Sequence, residues 1–78
     1  MKNYPIDEAL FLLYVEIIFQ MDRFRFMPTV SIYSELNKRR HDLHEKLLNF
    51  AQTTREDDEF SYFLAEKVEK ELELLKKR

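Results

Sequence analysis

The 78-residue chain contains no glycine, no cysteine and no tryptophan, and only two prolines. Without cysteine, disulfides, thiolate metal sites and cysteine nucleophiles are excluded. Without glycine, phosphate-cradling loops and dinucleotide-binding turns are excluded, because their tight turns and close phosphate approach need that residue. A hairpin-rich sheet is disfavoured for a related reason, since primed turns lean on glycine. A long membrane-spanning run is missing too. The longest apolar stretch, Ala9 to Met21, is interrupted by Glu16 and falls well short of the roughly twenty residues needed to cross a bilayer. No secretory signal is expected either, because Asp7 and Glu8 stand directly before that stretch and no small-x-small cleavage pattern follows it.

Charge of one sign is also lacking. Thirteen basic and fifteen acidic residues leave a formal charge of -2, which exerts no global pull toward nucleic acid or acidic membranes. The distribution is uneven. Residues 1–22 and 56–78 are acidic, whereas 23–55 hold seven basic side chains against three acidic ones. Only the middle segment can form a positive surface.

What is present is apolar and helical. An apolar fraction of 45% with seven phenylalanines argues against disorder. A single domain of this length has a thin core, and oligomerisation is an ordinary supplement. The stretch ALFLLYVEIIFQM points apolar side chains around a whole helix, not along one stripe, so a small globule cannot easily cover it alone. A first helix is predicted over about residues 6–23, opened by Pro5 with Asp7 and Glu8 at its positive end.

The segment Arg23 to Thr29 breaks this pattern. Pro28 biases Met27 toward extended geometry, and residues 24–30 read as a linker carrying Phe24 and Phe26. Continuation of the first helix to Phe26 and a short strand are the alternatives. A second helix is predicted over 31–52, its apolar face marked by Leu36, Leu43, Leu47 and Phe50. A third is predicted over 55–76, with the seam Phe60, Leu64, Val68, Leu72 and Leu75. Thr53 and Glu56 fit a capping box before it. The expected fold is all-α: three helices, the two long ones forming an antiparallel hairpin beside a strongly apolar first helix, in an oligomer. With no glycine to end the second helix, one long kinked helix with a coiled-coil seam against a partner chain is the alternative.

Few residues carry chemistry. His41 and His44 stand one turn apart, near Asp42 and Glu45, but match no established metal-binding pattern and have no second ligand pair on another helix. They read as ordinary helix histidines. The acidic run Glu56 to Glu59 reads as helix-opening charge, since the spaced oxygens and central glycine of a calcium loop are missing. No catalytic residue, metal or cofactor is expected.

The expected function is therefore non-enzymatic: a small cytoplasmic interaction or regulatory protein that binds a protein partner or itself through apolar helical surface. Leu10, Phe11, Tyr14, Ile17, Ile18, Met21, Phe24 and Phe26 are the candidate partner or oligomer contacts, as buried apolar anchors. The competing expectation is a small dimeric nucleic-acid-binding regulator using Arg23, Arg25, Lys38, Arg39 and Arg40. The last three are consecutive, however, and fan around a helix.

Overall fold

The computed structural model describes residues 4–24 and 30–77. Among them are three helices and no strand: α1 (Glu8–Phe24), α2 (Val30–Phe50) and α3 (Asp58–Lys76). The expected linker over 24–30 lies mostly outside the described residues.

Three of the helix ends have a clear local cause. Asp7 caps α1, its Oδ1 accepting from the backbone N–H groups of Ala9 (3.1 Å) and Leu10 (3.3 Å). At the end of α2, Gln52 takes the left-handed conformation, φ 57°, that glycine usually supplies. The Thr53 N–H then donates to the Leu48 carbonyl at 3.0 Å, and the Gln52 N–H to the Asn49 carbonyl at 3.1 Å. This is a complete Schellman closure, built without glycine. It makes α2 and α3 separate helices instead of one kinked helix.

The start of α3 differs from the expected capping box. Asp57 is the cap, accepting from the Phe60 N–H at 3.1 Å, and Thr53 instead donates its hydroxyl to Asp57 at 2.6 Å. A carboxylate placed directly before the helix satisfies the orphan N–H groups better than a threonine four residues upstream, so α3 begins at Asp58.

The core joins all three helices. Phe11 and Val15 of α1 meet Leu47 and Leu48 of α2, Ala51 just beyond α2, and Phe60, Leu64 and Val68 of α3. Phe11, Leu47 and Phe60 are completely buried. The helix pairing is uneven. α1 packs closely on α2 and more sparsely on α3, while α2 and α3 have no Cα–Cα approach within 8 Å among the described residues. α1 is therefore the common support. It runs in the same direction as α3, because Tyr4 lies beside Phe60 and Phe11 lies beside Lys67.

The chain as a whole is less compact than its length allows. Its radius of gyration is 13.1 Å, against about 11.5 Å for a compact chain of this length. Its accessible surface is 6087 Å², against about 5,100 Å² for a compact monomer of this mass.

Candidate interaction surface

Because α2 and α3 stay apart above α1, an open groove of about 340 Å³ runs between them. Tyr14 and Ile18 of α1 contribute to its lining, and α2 adds His44. The α3 wall is a continuous helical face of Ser61, Leu64, Ala65, Val68, Glu69 and Leu72. Its deeper side chains, Leu64 and Val68, belong to the core, so the groove exposes the edge of the core itself.

His44, which alone of α2 lines the groove, stands among polar contacts of that helix. The His44 ring sits 5.8 Å from the Tyr14 ring at a tilt of 41°. Partial burial holds the His44 imidazole below its ordinary value, and the neighbouring Arg55 and Arg40 push in the same direction. Arg55, on the α2–α3 connection, pairs with Glu45, and its Nη2 lies 3.2 Å from Nδ1 and 3.0 Å from Nε2 of His41. His41 and Glu45 thus face Arg55 while His44 faces Tyr14, and the histidine pair does not converge on a common point. Arg40 donates from Nε and Nη2 to the Asn37 side-chain oxygen at 3.3 and 3.1 Å. Its partner is neutral, and it has no ion-pair partner among the described residues.

On the other side of α3, Lys67 clamps the helix to α1. Its Nζ is 3.3 Å from a Glu8 carboxylate oxygen and 4.7 Å from the centroid of the Phe11 ring. One ammonium thus meets both an anion and an aromatic face.

The candidate contact residues fall into three groups. Phe11, Tyr14 and Ile17 are buried. Leu10, Ile18 and Met21 are half-buried, with Ile18 alone of these three lining the groove. Phe24 closes α1, its side chain outside the described residues, and Phe26 lies outside them altogether. Among the described side chains of α1, the most open apolar residues are instead Leu12 and Leu13, at 53% and 54% exposure. Helical phase explains this, because α2 and α3 cover adjoining sectors of α1 and leave the remaining one bare.

The basic candidates are dispersed. Arg23 is exposed at the end of α1, 5.9 Å from the Phe19 ring centroid. Lys38 and Arg39 are exposed on α2, Arg40 is half-buried, and Arg25 lies outside the described residues. Among the described residues no helix is long and apolar enough to cross a membrane. No protein-family model matches the chain, and comparison with curated proteins and with solved structures gave no significant match.

Sequence reasoning placed Leu64, Val68 and Leu72 on an apolar seam but did not separate the covered part of that seam from the open part. The available signal was the small pair Ser61 and Ala65, one turn apart beside the seam. Such a pair leaves space that a larger side chain would fill.

Proposed function

We propose that this chain is a small helical interaction protein of regulatory role that acts by burying its open apolar surface, in self-association or on a protein partner. One observation carries the reading: the groove between α2 and α3, where Ile18, Leu64, Val68 and Leu72 line a surface continuous with the core. Helical proteins commonly recognise partners by laying an apolar helix face into such a groove, with rim charges fixing orientation. The exposed pair Leu12 and Leu13 offers a second, smaller apolar contact on α1. The cytoplasmic setting expected from the sequence belongs to the same proposal.

A photo-reactive residue at Ala65, introduced in the cells of origin, tests this reading. Protein adducts at Ala65 that disappear with Ile18→Glu are the expected result. A position 65 that forms no protein adduct would overturn the reading.

A second reading, nucleic-acid binding, has one specific support in the exposed cations Lys38 and Arg39. It requires retention of a DNA or RNA duplex that weakens steeply with salt and with Lys38→Ala or Arg39→Ala. No retention at low salt removes it.

A further inference from the structure

We propose that the groove receives a basic amphipathic helix of a partner protein, its apolar face entering the groove and its lysine or arginine meeting Glu69. The inference rests on the interaction reading above and gives the partner its chemistry.

The partner's shape follows from the walls. Both are helices, which keep their backbone hydrogen bonds to themselves. No strand edge is present among the described residues, so an extended segment would find no backbone to pair with. A helix arrives with those groups already satisfied. On the α3 wall Ser61, Leu64, Ala65, Val68 and Leu72 repeat at helical spacing and cover about 16 Å, roughly three turns. Ser61 and Ala65 are small, which lets a second helix ride close to that wall. The opening of about 340 Å³ admits side chains from one face of such a helix, whose full diameter is about 10 Å.

The partner's charge follows from the lining. Glu69 is the only Lys, Arg, Asp or Glu that lines the groove, and it is exposed. It has no ion-pair partner among the described residues. The helix itself explains why. The neighbours of Glu69 one turn away on α3 are Ala65, Glu66, Leu72 and Glu73, so no lysine stands at a pairing position. Two of these neighbours are acidic, and like charges at such spacings destabilise a helix. Elsewhere α3 sets acid before base four apart, as in Glu66 with Lys70 and Glu73 with Lys77. After Glu69 that place is taken by Glu73. An incoming cation relieves the repulsion, so the wall favours a basic partner.

The other polar liners agree. The His44 imidazole, held below its ordinary value, is neutral at about pH 7 and offers a ring nitrogen as acceptor. The hydroxyls of Tyr14 and Ser61 can accept as well. Arg55 and Arg40, whose charges reach His44, do not line the groove. The partner's cation therefore belongs on the α3 wall, away from both.

The test is fluorescence anisotropy of two labelled synthetic helices on the full chain at physiological salt. One is built of leucine and lysine, and the other carries glutamate in place of every lysine. Only the leucine–lysine helix is expected to bind, and to saturate. Glu69→Lys should weaken it about tenfold or more and let the leucine–glutamate helix bind, because an attractive contact becomes a repulsive one. Glu16→Lys makes the same change in net charge on the opposite side of α1, two residues from both Tyr14 and Ile18. It should leave both affinities unchanged. Circular dichroism checks the fold of each variant. If Glu69→Lys does not fold, Glu69→Gln removes the charge alone and should still weaken the leucine–lysine helix.

Equal binding of the two helices, or no binding of the leucine–lysine helix, overturns the basic partner. A loss caused by Glu16→Lys and not by the Glu69 variants overturns the groove as its place. Adducts at Ala65 with another protein would in those cases keep the wider interaction reading, and their absence would remove both. Adducts at Ala65 with the mass of two chains, twice 9.6 kDa, would make a second copy the occupant and overturn the basic partner too.

Discussion

The phenolic hydroxyl of Tyr4 donates to Oδ2 of Asp57 across 2.9 Å, tying the segment before α1 to the cap of α3. The Tyr4 ring adds an edge-on contact with Phe60 at 5.0 Å and a tilted one with Phe63 at 5.6 Å. Burial, the bond to Asp57, and the charges of Asp57 and Glu59 together push the Tyr4 hydroxyl up to about 12. The folded chain therefore holds this proton more tightly than the unfolded chain does. The resulting stability is present below the ordinary tyrosine value of 10.0 and is lost as pH rises through about 12. Urea unfolding midpoints measured above pH 10 should fall more steeply for the wild type than for Tyr4→Phe. Equal slopes would show that the bond has no energetic weight.

Asp57 carries more than the Tyr4 bond. It accepts from the Phe60 N–H as the α3 cap and from the Thr53 hydroxyl in the preceding turn. Asp57→Ala removes all of these at once and should cost about 1–2 kcal/mol, near the upper range for losing a cap. Asp57→Asn keeps an accepting oxygen at the cap and should cost less. Chemical denaturation of the two variants separates the outcomes. Equal losses would place the effect in charge and not in capping.

The helices were legible in the sequence because the apolar run Ala9 to Met21 is too long for a strand, and Phe60, Leu64 and Val68 repeat at helical spacing. Which flank of α1 would stay open was not legible. Leu10, Leu12 and Leu13 look alike in sequence, and only the placement of α2 and α3 leaves the latter two bare. The end of α2 was expected near residue 52, but how it closes was hidden, since Gln52 adopts a backbone conformation its residue type does not advertise. The groove depends on the spacing of two helices whose backbones stay more than 8 Å apart, a long-range property with no local pattern.

That unusual stop gives a stabilising substitution. A side chain in the left-handed region costs roughly 1 kcal/mol relative to glycine. The Schellman bonds of Gln52 and Thr53 use backbone groups only, and Gln52 is exposed. Gln52→Gly keeps those bonds and should raise stability by about 0.5–1 kcal/mol, once the extra freedom of glycine in the unfolded chain is subtracted. A lower melting temperature for this variant would mean the glutamine side chain makes a stabilising contact of its own.

His44 contributes to the acid side of the stability profile. Its folded-state value lies below the ordinary 6.5, chiefly through burial and then through Arg55 and Arg40. The unfolded chain thus takes up the proton first. The His44 contribution is complete above pH 6.5 and is lost as pH falls below it toward the folded-state value. His44→Gln has no such proton to bind, so its unfolding midpoint should change less than that of the wild type between pH 7.5 and pH 5. Identical changes would assign the acid sensitivity to other groups.

Phe11 and Leu13 lie two positions apart on α1 and should behave oppositely. Phe11 is fully buried among Leu47, Leu48, Phe60 and Val15, with the Lys67 ammonium over its ring. Phe11→Ala removes a large aromatic and leaves a cavity, at a cost of about 3–5 kcal/mol. For so small a core this approaches the whole stability of the fold. Leu13 is 54% exposed, so Leu13→Ser should move stability by only about 0.5 kcal/mol in the isolated chain. A loss at Leu13 well above that, growing with protein concentration, would show that this outer face is covered in solution. Such a face would lie on α1 outside the groove lined by Tyr14 and Ile18 and imply a second contact there.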